Sequence, residues 1–170
     1  MAKIIAIGGI PATGKTTLMR EIIKLNFPLT IFKYKLVRGL YNKKTNVYII
    51  GIYDESLFSG TDKLSMAVQP DFINLTNKLN KATFIFEGDR LFNQSLFNKV
   101  KCNIFVLQVD QDIINLRHLK RNDKQTDNFK KAKQTKIQNI INNYNLTILK
   151  NNTKKESESN LKKILNIIKK

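Results

Sequence analysis

Strands that alternate with helices along this chain predict an α/β fold of three layers, with a mostly parallel sheet and one inserted β-hairpin. Two observations lead to this prediction. An apolar run from Ile4 to Ile7 leads directly into glycines, and a helical apolar pattern starts straight after them. Further apolar runs of strand length recur between helical stretches, as expected for strands joined by crossover helices.

Composition limits the size and setting of the protein. With 170 residues and 42% hydrophobic content, the chain is expected to form one domain, residues 1–170. No apolar run approaches the about 18 residues of a membrane span, so we expect a soluble protein without a membrane partner. The one cysteine, Cys102, excludes an internal disulfide and fits a reducing cytoplasm. Cys102 is a poor nucleophile, because the only histidine, His118, lies on a later helix.

Charge is the second large feature of the chain. The formal net charge of +17 predicts attraction to polyanions, including nucleic acid. A chain rich in Lys, Asn and Ile is also what an AT-rich coding sequence would give, so composition alone accounts for part of this charge. Arginine is rare against that background and grips phosphate bidentately, so each arginine is a candidate for a specific role. They are Arg20, Arg38, Arg90, Arg117 and Arg121.

The glycines after the first strand match the G-x-x-x-x-G-K-[ST] pattern over Gly9–Thr17. In such a loop, backbone N–H groups and the helix dipole cradle a polyphosphate, Lys15 reaches the β and γ phosphates, and Thr16 ligates Mg²⁺. The alternative is a structural glycine-rich turn. The pattern therefore predicts ATP and Mg²⁺ as cofactors on a P-loop NTPase and kinase fold. The expected ATP-binding residues of the loop are Gly9, Ala12, Thr13, Gly14, Lys15, Thr16 and Thr17.

The next elements are a helix and the inserted hairpin. Apolar spacing predicts a helix from Thr16 to Leu25. Two strands, Thr30–Val37 and Val47–Tyr53, are expected to form the hairpin around a polar turn at 42–45, with Asp54 directly after the second arm.

A long loop and a strand end then supply candidate polar side chains. Residues 55–70 follow a strand, which is where α/β proteins place substrate contacts, and Asp71 is expected to cap a helix that runs to Leu79. The strand from Ala82 delivers Glu87 and Asp89 to its C-terminal end, where phosphoryl-transfer enzymes hold Mg²⁺. A polar strand end with a glycine turn is the alternative interpretation.

The second half continues the same alternation. A short amphipathic stretch, Leu91–Val100, precedes a core strand, Asn103–Val109. Helices are predicted over Asp110–Lys120 and Asn128–Asn142, with a polar break between them. Arg117 and Arg121 are four residues apart and share one helix face. Such a pair of helices predicts a lid over the phosphates at about 111–142, although a solvated basic face would have the same pattern. The chain closes with a strand at Leu146–Leu149, a polar connection at 151–159 and an amphipathic helix.

The loop resembles the G-x-P-G-S-G-K-[ST] loops of small-molecule and polynucleotide kinases. Ala12 stands where those loops usually have glycine, so we expect an ordinary backbone conformation at that position. Three further stretches, Gly60–Pro70, Phe86–Asn93 and Thr135–Ile140, resemble the phage 5-hydroxymethyluracil DNA kinase family. The resemblance covers most of residues 5–141. It implies an ATP-dependent kinase that phosphorylates the base hydroxymethyl group within DNA, a step of thymidine hypermodification, in the cytoplasm of a host cell.

The loop and the strand ends, taken with the resemblance, lead to a hypothesis about the roles of individual residues. Lys15 would act on the transferring phosphate, Asp89 or Glu87 would hold the metal beside Thr16, and Asp54 would be the base for the acceptor hydroxyl. Asp89 and Arg90 resemble the Asp/Glu-Arg pair of deoxynucleoside kinases. Arg90, Arg117 and Arg121 would grip phosphate. Tyr53, Phe58 or Phe92 would stack on an extruded base, although aromatic residues at such positions more often belong to the core. The expected substrate-binding residues are Tyr53, Asp62, Gln69, Arg90 and Phe92.

Three rival functions remain open at this point. A nucleoside or nucleotide kinase would use the same loop with a free acceptor, and the charge would then be incidental. A polynucleotide 5′-hydroxyl kinase would act on unmodified DNA ends. An ATP-dependent nucleic-acid-binding module would hydrolyse ATP without an acceptor.

Overall fold

A computed structural model describes residues 1–54, 59–120 and 126–169, with one seven-stranded sheet at the centre. The strands are β1 (Lys3–Gly8), β2 (Thr30–Tyr34), β3 (Val37–Asn42), β4 (Val47–Ile50), β5 (Thr83–Glu87), β6 (Asn103–Gln108) and β7 (Thr147–Lys150). Their order across the sheet is β2-β3-β4-β5-β1-β6-β7. The helices are α1 (Lys15–Leu25), α2 (Val68–Lys78), α3 (Gln94–Phe97), α4 (Gln111–Lys120), α5 (Asp127–Asn143) and α6 (Lys154–Lys169).

Five of the strands, from β4 to β7 across the sheet, run parallel, and β2 and β3 add an antiparallel extension at one edge. The central strands β1 and β5 are buried on both faces, which explains their continuous apolar sequences. All five parallel strands end at the same edge of the sheet, and the phosphate loop leaves β1 at that edge. The predicted α/β fold with a mostly parallel sheet is confirmed.

Helices cover both faces of the sheet and make the three layers. On one face, α2, α3 and α5 bury residues such as Phe72, Leu96 and Ile140 against the sheet. On the other face, α1 and α6 bury Met19 and Ile164. Among the described residues, no helix is long and apolar enough to cross a bilayer.

The inserted hairpin differs from the prediction. It contains three strands, because the expected first arm turns back at Lys35 and β3 begins at Val37. Lys35 has a φ of 50°, a left-handed conformation that a continuous strand does not contain. The second arm ends at Ile50 and not at Tyr53, since Gly51 follows with a φ of 123°.

Two helix starts also differ from the prediction. Helix α2 begins at Val68 with Ala67 at the N-cap position, so Asp71 lies in the first turn and is not the cap. Helix α6 begins at Lys154, inside the expected polar connection. Its start is a capping box, in which Glu156 N–H donates to Thr153 Oγ1 at 3.2 Å and Thr153 N–H donates to Glu156 Oε2 at 3.0 Å.

Candidate active site

The loop between β1 and α1 presents an uncapped helix start. Gly14 is the N-cap residue with a φ of 94°, no side chain caps the helix, and its first turn contains no acidic residue. The first-turn N–H groups and the positive end of the helix dipole therefore favour an anion. A Cβ at Gly14 would lie 2.6 Å from Asn151 Nδ2, so this position requires glycine for space as well as for conformation.

Lys15 lies across this loop. Its Nζ donates hydrogen bonds to Gly9 O at 2.8 Å and Ile10 O at 2.9 Å. Thr13 Oγ1 donates to the same Ile10 carbonyl at 2.9 Å, which closes the loop on itself. The ammonium group is thus held beside the N-terminus of α1, where two positive features act on one small region.

The expectation of an ordinary backbone conformation at Ala12 is wrong. Ala12 has a φ of 66°, in the left-handed region, although it carries a Cβ and is 4% exposed. The loop needs that conformation to complete its turn, and the left-handed backbone costs an L-residue about 1 kcal/mol relative to glycine. Arg117 donates to Ala12 O at 3.1 Å and supports the strained turn.

Glu87 is the carboxylate that meets the loop. Thr16 Oγ1 donates to Glu87 Oε1 at 3.0 Å, because β5 pairs in parallel with β1 and places Glu87 opposite Ile7. The Glu87 side chain is buried, with 2% exposure. Burial raises its pKa from 4.5 to about 7, although Lys15 and the Thr16 hydrogen bond act in the opposite direction.

Buried hydroxyl groups lie in the segment that folds against Glu87. An isolated bridge between Ile52 and Gly60 folds the chain back against the end of β5, and a Cβ at Gly60 would lie 2.7 Å from Glu87 Oε1. Within the described part of the chain, the buried hydroxyls of Ser59 and Thr61 have no hydrogen-bond partner. Such groups normally bond to water or a ligand, so they mark a polar region beside the carboxylate.

Tyr53 lies in the same region. Burial raises the pKa of its hydroxyl well above 10.0, and the nearby charge of Glu87 raises it further. The phenol therefore stays protonated at neutral pH and is available as a hydrogen-bond donor.

Asp89 faces helix α5. Its carboxylate forms ion pairs with Lys133 and with Lys136, the latter at 3.1 Å, and its backbone N–H donates to Asp62 Oδ1 at 2.6 Å. Burial is the largest cause that lowers the pKa of both lysines. The structure thus brings Glu87, and not Asp89, into contact with the proposed metal ligand Thr16. The contribution of Lys133 and Lys136 was not predicted, because in sequence they are two among many lysines.

Asp54 lies at the same edge of the sheet, just beyond β4. Its side chain is 49% exposed and pairs with Lys63, while Arg20 donates to Asp54 O at 2.9 Å. The 3₁₀ turn Thr61–Lys63 contacts two acidic residues of the site. Its Lys63 pairs with Asp54, and its Asp62 accepts the hydrogen bond from Asp89 N–H.

Arg117 and Asn151 brace the phosphate loop from the other side. Arg117 donates to Asn151 O at 2.9 Å in addition to its bond to Ala12, and Arg121 lies outside the described residues. Asn151 is 5% exposed, and its Nδ2 donates to Thr13 O at 2.8 Å. No sequence signal indicated Asn151, since the chain is rich in asparagine and Thr13 is 138 positions away.

The remaining predicted substrate residues separate into two groups. Arg90 and Gln69 are partly exposed. Arg90 Nε donates to Leu64 O at 3.4 Å, and Gln69 Nε2 donates to Ser95 Oγ at 2.9 Å. Phe92 is 1% exposed and belongs to the core, because a Cβ at Gly8 would lie 2.0 Å from its ring. The ring offers no free face for a base. Phe58 lies outside the described residues.

An open cleft of about 400 Å³ separates the loop from helices α4 and α5. Its walls combine apolar and polar side chains from the loop and from both helices. The lining residues are Ile10, Pro11, Gln111, Ile114, Asn115, His118, Leu119, Lys130 and Gln134.

Comparison with known proteins adds little to this geometry. No protein-family model matches the chain, and no curated protein matches it. Among solved structures, the chain is similar to the crystal structure of a gluconokinase from Sinorhizobium meliloti 1021, at 10% sequence identity and a TM-score of 0.47. The match covers 97% of this chain and 94% of that one.

Proposed function

We propose that the chain is an ATP-dependent kinase that transfers the γ-phosphate to the hydroxymethyl group of 5-hydroxymethyluracil in DNA. One observation carries the phosphotransferase part of this proposal. An uncapped helix start, the Lys15 ammonium and the Thr16–Glu87 contact meet at the end of β1. This combination fits a polyphosphate with a divalent cation better than a structural turn, which would need neither the lysine nor the buried carboxylate.

The loop residues Gly9, Ala12, Thr13, Gly14 and Thr17 contribute backbone to the phosphate site. Lys15 leaves the carbonyl oxygens of Gly9 and Ile10 and donates instead to the β and γ phosphates. Phosphoryl transfer depends mainly on positioning and on charge stabilisation, so Lys15 has the largest expected effect of any single side chain.

The residues present fit Mg²⁺. Thr16 and Glu87 offer a hydroxyl and a carboxylate within 3.0 Å of each other, and Mg²⁺ prefers oxygen ligands completed by water and phosphate. No group of three or more His, Cys, Asp or Glu residues in the described ranges would hold a metal without such ligands. When bound, Mg²⁺ neutralises charge on the phosphates. We therefore assign Thr16 and Glu87 to the metal, and give Asp89 the role of ordering α5 through Lys133 and Lys136.

Asp54 is the proposed base at the acceptor end. It takes the proton of the hydroxymethyl group as that oxygen bonds to the γ phosphorus, while the bond to the bridging oxygen of ADP breaks. Arg90, Asp62, Gln69 and Tyr53 are proposed to position the base and the transferring phosphate. Phe92 has no part in this proposal because it is buried in the core.

Helices α4 and α5 are proposed as the lid. The open cleft leaves room for them to approach the loop, and α5 already contacts the site through its lysine pairs with Asp89. Arg117 and Arg121 are proposed to stabilise the charge that develops on the phosphates.

The DNA acceptor rests on charge and on the sequence resemblance. A net charge of +17 favours a polyanionic substrate over a free nucleoside. Transfer of labelled γ-phosphate from ATP tests the proposal with paired oligonucleotides, identical except that one carries 5-hydroxymethyluracil in place of thymine. We expect label on the modified oligonucleotide only.

Variants make this experiment specific to the loop. Lys15→Ala should lower transfer by about 10²- to 10³-fold, as for loss of one charge-stabilising donor. Lys24→Ala, an exposed lysine at the other end of the same helix, is the matched control and should retain transfer. Full activity in Lys15→Ala would contradict the phosphate site.

Other labelling patterns identify the rival functions. Label on the free nucleoside or its monophosphate alone indicates a nucleotide kinase. Label on the ends of unmodified DNA indicates a 5′-hydroxyl kinase. ATP turnover without labelled product indicates an ATP-dependent binding module.

A further inference from the structure

We propose that the β2–β3 hairpin, residues 30–42, is a docking surface for the phosphate backbone of the DNA strand that carries the acceptor base. The surface is formed by the side chains of Lys33, Lys35 and Arg38, and is called the basic hairpin below. The choice of DNA rests on the proposed function, whereas the surface itself lies outside the phosphate-binding site.

The tip of the basic hairpin lies at the edge of the sheet where the five parallel strands end. Strand β3 pairs antiparallel with β4, with Gly39 opposite Ile50, and Gly51 N–H donates to Arg38 O at 2.8 Å. The tip of the hairpin therefore lies at the end of β4 from which the chain continues to Asp54. A strand bound along the tip would pass the proposed acceptor end of the site.

Two cations stand opposite each other on this hairpin. Lys33 pairs in register with Arg38 across the two strands, so both side chains leave the same face at neighbouring positions, and both residues are exposed. Like charges directly opposite each other destabilise a sheet. In the described part of the chain, no acidic side chain forms an ion pair with either residue. An anion is thus the missing partner of this pair.

The tip is held in place by helix α2. Asp71 accepts a hydrogen bond from Leu36 N–H at 3.3 Å and pairs with Lys35 at 3.6 Å. Lys35 and Lys78 also flank the Tyr34 ring at 5.9 and 5.8 Å from its centroid. The Lys35 side chain and the backbone of the tip are therefore held in place before any ligand binds, which lowers the cost of ordering the tip on binding.

A nucleic acid strand fits this arrangement better than a single carboxylate. Residues opposite each other across two strands have Cβ atoms about 5 Å apart. Their long side chains reach successive phosphates, which follow one another along each DNA strand at about 3.4 Å of axial rise. A second copy of this chain is the competing occupant, because β2 is an edge strand and its Ile31 is 91% exposed.

The test removes the opposed pair and measures binding without ATP. The variant Lys33→Gln/Arg38→Gln is compared with Lys162→Gln/Lys163→Gln, which removes the same charge from exposed positions of α6. Fluorescence anisotropy of a labelled single-stranded oligonucleotide containing 5-hydroxymethyluracil is recorded across a range of NaCl concentrations. The hairpin variant should bind about tenfold more weakly and lose about 1.4 from its log–log salt slope, at about 0.7 per phosphate on single strands. The α6 variant should keep the wild-type slope.

Weaker binding by the hairpin variant would not be caused by unfolding, because loss of a like-charge pair should leave its melting temperature unchanged or raised. Equal affinity of the two variants would overturn the proposal. So would a wild-type dimer in sedimentation that the hairpin variant converts to monomer, which would assign the surface to a second copy.

The two proposals can fail separately. Hairpin-dependent binding without any phosphoryl transfer would support the docking surface and reject the kinase. Transfer to the oligonucleotide with binding unaffected by the hairpin variant would support the kinase and reject the docking surface.

Discussion

Burial of the Glu87 carboxyl beside Thr16 makes its protonation depend on the fold. Its pKa is raised from 4.5 to about 7, chiefly by loss of water around the charge. As pH rises between these values, the unfolded chain releases the proton and the folded chain retains it. Ionisation of Glu87 therefore lowers the free energy of unfolding by up to about 3 kcal/mol as the pH rises from 4.5 to about 7. Above pH 7 this loss is complete.

Glu87→Gln tests both consequences of this burial. At pH 8 the variant should have a free energy of unfolding up to about 3 kcal/mol above that of the wild type, and the difference should disappear towards pH 4.5. Phosphoryl transfer should be lost, since the amide cannot hold the metal as a carboxylate does. Urea unfolding at several pH values measures the first effect, with Glu158→Gln as a control for loss of one exposed carboxylate. A stability difference independent of pH would contradict the burial argument.

Which residues of the site were predictable depends on how their contacts arise. Lys15 and Thr16 follow from a local pattern, and Glu87 follows from its place at the end of an apolar strand. Asn151 was not predictable, because its contact with Thr13 arises from the fold. The left-handed Ala12 was predicted wrongly, since residue type alone favours the ordinary conformation and the loop closure overrides it.

At the scale of elements, the end of β7 braces the phosphate loop. Asn151 N–H donates to Gln108 O at 2.8 Å, which fixes β7 to the end of β6, while its side chain donates to Thr13 O. Asn160 of α6 donates to Lys150 O at 2.8 Å and holds the same strand end. The loop is therefore positioned by the last strand and helix as well as by β1 and α1.

Asn151→Ala should weaken this brace. The change leaves the buried Thr13 carbonyl without its donor and should cost about 1–3 kcal/mol of unfolding free energy. It should also weaken ATP binding, because the loop is less well ordered before the nucleotide binds. Urea unfolding and calorimetric titration with ATP measure the two effects. Asn166→Ala, at an exposed position of α6, is the control, and an equal loss in both variants would show that the brace has no specific role.

Two elements show where sequence patterns were and were not sufficient. Residues 30–37, the predicted first arm, contain no Gly, Pro, Asn or Asp, so the turn at Lys35 had no local marker. The start of α6 did have one, because Thr153 and Glu156 have the spacing of a capping box. Because this capping box lies within a polar stretch, residues 151–159 were predicted to be a connection without a helix.

At the scale of the whole molecule, the sheet order decides which strand ends meet. Alternating strands and helices predicted the parallel sheet, but only the fold places β5 directly beside β1 and Glu87 beside Thr16. The same order makes β2 of the basic hairpin an outermost strand of the sheet, while the antiparallel pairing of β3 with β4 puts the hairpin tip at the end where β4 stops.

Cys102 provides a measurement of ATP binding that is independent of catalysis. It lies just before β6, and burial raises the pKa of its thiol from 9.0 to about 12, so the reactive thiolate is scarce at pH 8. Cys102 is half-buried, so labelling of the folded chain by a thiol reagent should be slow, and labelling during unfolding adds to it. ATP at about 100 times its Kd stabilises the native state by about 2.7 kcal/mol and should slow the labelling that occurs through global unfolding about 100-fold. Lys15→Ala should lose this protection while retaining the rate without ATP. Labelling that ignores ATP in the wild type would mean either that Cys102 reacts by local opening or that ATP does not bind, and titration of ATP by calorimetry separates these two outcomes.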